Sequence, residues 1–260
     1  MSQERNQERN QEENQGEAIW LVTGAASGIG DAVVRAARAT GEPVLALDID
    51  DAAGEALAAE TGAVYQHLNV ADPEAWEKLA ASLSDFGTPN RIHLNAGIQI
   101  APPDAPLDEY RFDAMVLDRY RRMMGVNVDG VVFGLKSLLP VLEPGAAIVV
   151  TASLAGVTPY DVDPLYAMSK HAVVGLVRSL GPTLRERQIS INALCPGGID
   201  TAIIPEAQRT EAAVFMSPEE IAREVRRLMT VEETGKSWAK VSEAKPAFII
   251  RAPGDKKPNA

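Results

Sequence analysis

Short apolar runs alternate with longer amphipathic stretches from Ala18 onward. The apolar runs have the length and composition of buried strands, although the one at 91–94 is short and polar. The stretches between them repeat apolar residues with a helical period. We predict strands at 18–22, 43–47, 63–68, 91–94, 146–150, 189–194 and 247–250, and helices near 28–40, 51–61, 73–86, 108–142, 160–187 and 217–230. This alternation predicts an α/β fold, a doubly wound parallel sheet of Rossmann type with helices on both faces.

The first seventeen residues differ from the rest of the chain. They repeat a Gln-Glu-Arg-Asn unit and contain almost no apolar side chains. Such a segment buries too little surface to offset its ordering entropy, so residues 1–17 are predicted to be a disordered acidic tail. A tether or partner-binding arm is the alternative. Residues 18–260 are predicted to form a single domain.

Composition excludes several classes of protein. The net charge of −11 argues against a nucleic-acid partner, because phosphate binding needs clustered Lys and Arg. No stretch approaches the apolar length of a membrane span, and the start lacks a signal pattern. The single cysteine, Cys195, is predicted to be a small buried residue, and the scattered His93 a structural one. We therefore predict a cytoplasmic protein without a metal site, since no His or Cys cluster has metal-site spacing.

A glycine-rich segment, Thr-Gly-Ala-Ala-Ser-Gly-Ile-Gly, follows the first predicted strand at 23–30 and leads directly into a helix. Glycines let the backbone turn tightly and approach a pyrophosphate, while the helix N-terminus offers free N–H groups. The strand, turn and helix together are the context that a dinucleotide site requires. A purely structural turn is the alternative. The predicted phosphate-binding residues are Gly24, Ser27, Gly28, Ile29 and Gly30.

Asp48 ends the second predicted strand, about twenty residues beyond the last of those glycines. A carboxylate there accepts hydrogen bonds from both ribose hydroxyls of an adenosine and repels a 2′-phosphate. Ile49, Asp50 and Asp51 follow, without Arg or Lys. The sequence therefore favours NAD over NADP, although Asp50 or Asp51 also suits a helix cap.

Tyr166 and Lys170 lie four residues apart in a predicted helix, so they share one face. A nearby ammonium favours the phenolate and lowers the pKa of a tyrosine, which makes it a usable base. The alternative is an exposed Tyr beside a solvated Lys.

These segments, with Asn95-Ala96-Gly97, make residues 18–230 resemble the short-chain dehydrogenase/reductase family. The resemblance implies hydride transfer between NAD and a secondary alcohol or ketone. In that family Tyr166 would be the general acid/base, Lys170 would lower its pKa and hold the nicotinamide ribose, and Ser153 would bind the substrate oxygen. Asn127 would support a proton-relay water and the lysine. A homodimer or homotetramer is implied as well, through the helices near 108–142 and 160–187.

The resemblance also implies further cofactor contacts, and it has departures. The implied contacts are Asn95, Ala96, Gly97, Asn69, Val70, Pro196, Gly197, Ile199 and Thr201. Asn69 stands where the family usually has an aspartate near the adenine, and its amide can still bond the adenine amino group. Leu94 replaces an asparagine and Ala152 a serine. Paired glycines are missing after the last strand, which puts the family's tetramer contacts in doubt.

Substrate choice is predicted to rest on a lid at about 202–216. With Leu154, Val157 and Pro159 it would line a largely apolar pocket, with Arg209 as a polar contact. This predicts a hydrophobic alcohol or ketone, cyclic, aromatic or steroid-like, unless the lid's apolar residues only pack. The charged run at 118–122 is interpreted as a solvated helix face. A non-catalytic NAD sensor, or epimerase or dehydratase chemistry, are the alternative functions.

Overall fold

The computed structural model describes residues 18–252, so the predicted tail at 1–17 and the segment 253–260 lie outside the described residues. Within that range eight strands form one sheet in the order β3-β2-β1-β4-β5-β6-β7-β8, and only the β7–β8 pairing is antiparallel. The predicted doubly wound parallel sheet is confirmed. The strands are β1 (Trp20–Thr23), β2 (Val44–Asp48), β3 (Val64–His67), β4 (Arg91–Leu94), β5 (Ala147–Thr151), β6 (Ser190–Pro196), β7 (Lys236–Lys240) and β8 (Phe248–Ile250).

Helices cover both faces of the sheet. They are α1 (Gly28–Arg38), α2 (Asp51–Thr61), α3 (Pro73–Phe86), α4 (Leu117–Met124), α5 (Gly130–Leu138), α6 (Pro164–Glu186) and α7 (Pro218–Leu228). Asp50, Asp72, Asp163 and Ser217 cap four of them by accepting backbone N–H bonds with their side chains. No helix within residues 18–252 combines the length and apolar character needed to cross a membrane.

Two apolar layers hold the helices on the sheet. On one face Trp76, Leu135 and Val177 of α3, α5 and α6 pack on β4 and β5. On the other face Val33 of α1 and Val225 of α7 pack on β1 and β2. Burial of both faces explains why the central strands are nearly continuous apolar runs, the feature that made them readable from sequence.

The single helix predicted at 108–142 is wrong. Short 3-10 turns occupy Leu107–Tyr110 and Phe112–Ala114, and a wide π-type turn at Gly125–Asp129 separates α4 from α5. The glycine at 130 permits a close approach, because a Cβ atom there would lie 2.8 Å from Cγ2 of Val70. Wide turns of this kind often occur at functional sites, and this one carries Asn127.

Three strands also differ from prediction. β7 was not predicted, because its ends are Lys236 and Lys240; yet Lys240 is buried and its ammonium lies 3.3 Å from Glu224. β3 and β8, predicted as buried, form the two edges of the sheet, so Val64 and Phe248 are about half exposed. An apolar run does not by itself reveal whether its strand is central or at an edge.

Candidate active site

A cavity of about 1330 Å³ opens at the carboxyl ends of β1, β2, β4, β5 and β6. Ligands bind at this edge in doubly wound sheets, where the strand order reverses. Its volume exceeds the roughly 300–1,000 Å³ of ordinary small-molecule pockets, which leaves room for a cofactor and a substrate together. All of the predicted site residues line it except Gly30 and Asn127, which lie behind its wall.

The glycine turn lies at one end of the cavity. Gly24 and Gly28 have φ angles of +62° and +53°, the left-handed region that glycine adopts without strain. Gly30 packs against the carbonyl group of Gly24, where a side chain has no space. Ser27 is the N-cap residue of α1, and its hydroxyl makes no capping bond. The first N–H groups of the helix are therefore not capped by this side chain, and Ser27, Gly28 and Ile29 line the cavity.

Asp48 joins the end of β2 to that turn. Its Oδ2 accepts a 2.9 Å bond from the Ala26 N–H, and its Oδ1 accepts bonds of 2.7 and 3.1 Å from the Ile49 and Asp50 N–H groups. The nearby Asp51 accepts from the Tyr65 hydroxyl at 2.7 Å. Hydrogen bonds from Tyr65 and His67 lower the pKa of Asp51, so this end of the cavity is negatively charged.

Asn69 and Val70 line the cavity beside Asp48. The Asn69 Oδ1 accepts from the Ala71 N–H at 3.1 Å, which shapes the turn after β3. The carbonyl oxygen of Val70 accepts from Nε1 of the buried Trp76 at 2.9 Å. The turn is thereby fixed from the core side, while the Asn69 side chain is exposed.

A chain of buried polar groups links β4 and β5 under the cavity. The Thr151 hydroxyl donates to Asn95 Oδ1 at 3.0 Å, and Asn95 Nδ2 donates to the Gly24 carbonyl at 3.3 Å. His93 Nε2 lies 2.8 Å from the same hydroxyl oxygen. Because the hydroxyl proton goes to Asn95, His93 Nε2 is the donor and its Nδ1 carries a lone pair. Burial lowers the pKa of His93 to about 3, so the ring is neutral.

Thr23 completes this chain. Its hydroxyl oxygen accepts from the Asn95 N–H at 2.9 Å and from the Ala96 N–H at 3.2 Å. Thr23 and Thr151 were not among the site residues predicted from the sequence. Threonines at the carboxyl ends of two predicted strands were the available signal. His93 is structural, as its isolation in the sequence predicted.

Asn127 connects the loop after β4 with α6. Its Oδ1 accepts from the Ile98 N–H at 2.8 Å, and its Nδ2 donates to the Ile98 carbonyl at 2.8 Å and to Ser169 Oγ at 3.0 Å. A Cβ atom on Gly97 would lie 3.1 Å from Lys170 Nζ and 3.4 Å from Asn127 Oδ1. Both side chains therefore converge on the backbone at Gly97, and the predicted support of the lysine stays a prediction.

Tyr166, Lys170 and Ser153 lie together at the centre of the cavity wall. Lys170 is 2% exposed, its Nζ donates to the Thr151 carbonyl at 2.9 Å, and it lies 5.6 Å from the centre of the Tyr166 ring. Burial lowers the pKa of Lys170 to about 8. Burial also raises the pKa of Tyr166, opposed by a hydrogen bond with Ser153. The pKa of Tyr166 is therefore shifted upward, opposite to the lowering by Lys170 that the sequence predicted.

Asp163 holds α6 against the loop after β4, and it was not among the residues predicted from the sequence. It is fully buried; its Oδ1 accepts from the Tyr166 N–H at 2.8 Å and its Oδ2 from the Ile100 N–H at 2.9 Å. Burial raises its pKa, opposed by these backbone donors. The signal was present, because Asp163-Pro164 is the usual pairing of a cap with a first-turn proline.

The end of the cavity beside the 202–216 segment is mostly apolar. Leu154, Pro159, Ile203, Ile204 and Phe215 line it, as predicted for the lid, whereas Val157 packs against the core. Arg209 was predicted as its polar contact; instead its guanidinium pairs with Asp200 at 2.6 Å. Besides Ser153 and Tyr166, the polar residues that line the cavity near these apolar side chains include Gln99, Thr158, Tyr160 and Gln208.

Two other predictions concern residues near the cavity. Arg119, Arg121 and Arg122, interpreted as part of a solvated face, also line the cavity at its outer rim. Cys195 is fully buried, and burial raises the pKa of its thiol to about 12, which agrees with the predicted small buried residue.

Comparison with known proteins gives a consistent result. The family profile described as "short chain dehydrogenase" matches residues 18–212. The chain is 37% identical over 200 residues to a 2,5-dichloro-2,5-cyclohexadiene-1,4-diol dehydrogenase of Sphingobium indicum, covering 75% of this chain and 77% of that one. It is 29% identical over 206 residues to (+)-borneol dehydrogenase 2 of Salvia officinalis, covering 74% and 69%.

A solved structure is similar over most of the chain. The short chain dehydrogenase of Burkholderia cenocepacia J2315, determined in complex with NADP, superposes with a TM-score of 0.75 at 25% identity. The similarity covers 86% of this chain and 96% of that one.

Proposed function

This chain belongs to the short-chain dehydrogenase family, and we propose that it transfers a hydride between NAD and a secondary alcohol or its ketone. One observation carries the proposal: buried Tyr166 and Lys170 lie beside Ser153 in the same cavity as the glycine turn. The relatives are named dehydrogenases, which supports an oxidoreductase in general. The finer assignment rests on the residues of this chain.

The glycine turn fits the pyrophosphate of a nicotinamide dinucleotide. A Cβ atom on Gly24 would lie 2.9 Å from Cα of Ala96, and one on Gly28 would lie 2.9 Å from Cγ2 of Thr201. Because Gly24 and Gly28 have no side chains, the backbone of this turn can approach the phosphates closely. The N-terminus of α1 adds N–H groups and a positive dipole end that favour the phosphate charge. The other residues expected to contact the cofactor line the same cavity as Tyr166; they are Asn95, Ala96, Gly97, Pro196, Gly197, Ile199 and Thr201.

NAD is the favoured cofactor because of the charge beside the adenosine position. Asp48 lines the cavity there, and Asp50 and Asp51 lie next to it. A 2′-phosphate would meet carboxylates, whereas ribose hydroxyls can donate to them. The NADP complex of the Burkholderia relative makes NADP the alternative to test.

The proposed chemistry divides between cofactor and protein. The cofactor supplies the hydride acceptor. Tyr166 takes the proton of the alcohol, and the Ser153 hydroxyl stabilises the alkoxide-like oxygen in the transition state. Burial disfavours the phenolate that this requires, so positive charge must offset it. The ammonium of Lys170, protonated at neutral pH with a pKa of about 8, provides part of that charge.

The substrate class follows from the apolar end of the cavity. Leu154, Ile203, Ile204 and Phe215 offer apolar surface and no charge to a ligand beside Tyr166. The two relatives are named for alcohols on carbon rings. We therefore expect a hydrophobic, cyclic secondary alcohol.

The proposal is tested with a panel of secondary alcohols, cyclic and open-chain, supplied with NAD⁺ and separately with NADP⁺ while NADH or NADPH absorbance is followed. We expect turnover of ring alcohols with NAD⁺. Tyr166→Phe should lower kcat by about 10²–10⁴-fold while NAD binding, measured by quenching of protein fluorescence, persists. Full activity of the Phe variant would refute Tyr166 as the base.

Binding of NAD without turnover of any alcohol would instead favour the alternative function, a non-catalytic NAD sensor. The intact set of Asn127, Ser153, Tyr166 and Lys170 argues against that reading.

A homo-oligomer is proposed as well, on a specific surface. Phe112, Val116, Leu117 and Met168 are apolar side chains at or beside α4 and α6 that are 42–65% exposed. Exposed apolar side chains of this kind favour association. Light scattering gives the mass, and Leu117→Asp should shift it towards the monomer. The cytoplasmic location stays a prediction from composition.

A further inference from the structure

His93 is fully buried in β4 and lies at the start of a series of hydrogen bonds that ends at the glycine turn. Its Nε2 lies 2.8 Å from the Thr151 hydroxyl oxygen, and that hydroxyl donates to Asn95 Oδ1 at 3.0 Å. Asn95 Nδ2 then donates to the Gly24 carbonyl at 3.3 Å. We refer to His93, Thr151 and Asn95 as the β4–β5 network.

The direction of these hydrogen bonds is fixed at both ends of the network. The Gly24 carbonyl can only accept, so Asn95 turns its Nδ2 towards it and its Oδ1 towards Thr151. At the other end, Nδ1 of His93 has no hydrogen-bond partner among the described residues. A proton on that atom would be buried without an acceptor, so the ring carries its proton on Nε2 and donates to Thr151. The Thr151 hydroxyl therefore has its own proton available for Asn95.

The Gly24 carbonyl is where this network meets the glycine turn. Gly24 has a φ angle of +62°, and a Cβ atom on Gly30 would lie 1.9 Å from the Gly24 carbonyl oxygen. The carbonyl is therefore enclosed between Asn95 on β4 and the first turn of α1. Because it contacts both, a change in its orientation is expected to shift the N-terminus of α1, where Ser27 and Gly28 line the cavity.

We infer that His93 is a positioning residue for cofactor binding. It does not line the cavity; it acts through Thr151 and Asn95, which hold the Gly24 carbonyl in the orientation that suits the pyrophosphate of a dinucleotide. Buried hydrogen bonds in series polarise one another, so the loss of the first donor weakens the bonds that follow it. This inference rests on the proposed cofactor site and adds to it a residue that the ligand does not touch.

The competing explanation is that His93 only packs the sheet. In the register of the sheet it lies between Val22 on β1 and Val149 on β5, so its ring also fills space in the core. A residue that only packs changes the free energy of unfolding and leaves the affinity of the folded protein for NAD as it is. A positioning residue changes that affinity in protein that is still folded.

The test measures the dissociation constant (Kd) of NAD⁺ by quenching of protein fluorescence, at a temperature where thermal melting shows each variant to be folded. His93→Leu removes the donor and should raise Kd by about three- to tenfold, the worth of one buried hydrogen bond. His93→Gln places an amide N–H near the position of Nε2 and should keep Kd within about twofold of the wild type. The inference is overturned if His93→Leu binds NAD⁺ as tightly as the wild type, or if His93→Gln binds it as weakly as His93→Leu.

Thr151 gives a second measurement. Thr151→Val removes the hydroxyl but keeps the backbone carbonyl to which Lys170 donates. It should raise Kd by about tenfold because Asn95 loses its donor, and adding His93→Leu should raise Kd no further, since the two residues act in series. Thr151→Ser retains the hydroxyl and should bind NAD⁺ as the wild type does. Additive losses in the double variant would overturn the inference, and the comparison of Val with Ser at 151 stands even if His93→Leu does not fold.

Asn192→Ala is the matched control. Asn192 is a fully buried polar residue of β6 that does not line the cavity; its Nδ2 donates to the Glu233 carbonyl at 2.7 Å, and its Oδ1 accepts from the Lys236 N–H at 3.1 Å. The variant should melt at a lower temperature while its Kd for NAD⁺ stays that of the wild type. A rise in Kd equal to that of His93→Leu would assign the effect to general loosening of the sheet and overturn the inference.

The outcomes for the inference and for the proposed function are distinguishable, because Kd is measured without an alcohol. Binding of NAD⁺ by the wild type with the same Kd in the His93 and Thr151 variants would overturn the inference alone. A wild type that binds neither NAD⁺ nor NADP⁺ would overturn the proposed function and the inference together.

Discussion

Lys170 donates a 2.9 Å hydrogen bond from its buried ammonium to the carbonyl oxygen of Thr151, whose hydroxyl in turn orients Asn95. One residue at the end of β5 therefore positions both a charged group and a side chain of the cavity wall. Burial of the ammonium has a cost, because it lowers the pKa of Lys170 from 10.5 to about 8.

This cost predicts how stability changes with pH. Between about pH 8 and 10.5 the unfolded chain retains the lysine proton that the folded protein has lost, so stability rises with pH in that window. Relative to Lys170→Met, whose side chain cannot titrate, the wild type should gain up to about 3 kcal/mol across it. Urea unfolding at a series of pH values measures the difference. A constant difference would show that the ammonium is not destabilised by burial.

Asp48 should control the choice between NAD and NADP. In Asp48→Asn the carboxylate charge is lost while an acceptor remains for the backbone N–H groups that it holds. We expect the ratio of kcat/KM for NADP⁺ to that for NAD⁺ to rise by about tenfold or more, because a repulsion at short range is removed. Asp85→Asn removes a charge at the far end of α3 and should leave the ratio as it is. Equal preferences in Asp48→Asn and the wild type would refute this role for Asp48.

Asp163 should matter more than its position as a helix cap suggests. Asp163→Ala leaves the buried N–H groups of Ile100 and Tyr166 without acceptors, so the free energy of unfolding should fall by about 2–4 kcal/mol. Because the same bonds position Tyr166, kcat should fall in protein that is still folded. Asp72→Ala removes the cap of α3, an exposed bond to the Glu74 N–H, and should cost about 1 kcal/mol without changing kcat. Comparable effects of the two variants would make Asp163 an ordinary cap.

Patterns of apolar residues predicted most of the fold, because central strands of a parallel sheet are buried on both faces. They failed at Lys240, a charged strand residue buried against Glu220 and Glu224, whose pairing partners lie about twenty residues earlier in the chain. They also failed at 108–142, where helical periodicity continues through two short 3-10 turns and the wide turn at Gly125–Asp129.

Motif spacing predicted most of the residues that line the cavity, but it did not predict residues such as Thr151 and Asp163 that position them. Thr151 and Asp163 act through hydrogen bonds to residues that are distant in sequence, and no local pattern distinguishes them from an ordinary strand end or cap.

His93 should make the protein sensitive to acid. Burial lowers its pKa from 6.5 to about 3, so between these values the unfolded chain binds a proton that the folded protein excludes, and stability falls as pH falls. Among the described residues, no group forms a hydrogen bond with Nδ1 of His93. A proton added to that atom would therefore be buried without an acceptor. His93→Leu should have a lower free energy of unfolding at pH 7, because the Thr151 hydroxyl loses a hydrogen-bond donor. Between pH 6.5 and 4, however, the variant should lose about 2–3 kcal/mol less stability than the wild type.

His171→Gln replaces a histidine on the accessible side of α6 and serves as the control for removing any histidine. Denaturant unfolding of the three proteins at matched pH values measures the slopes; parallel slopes for wild type and His93→Leu would mean that the buried ring takes up its proton as readily as a free one.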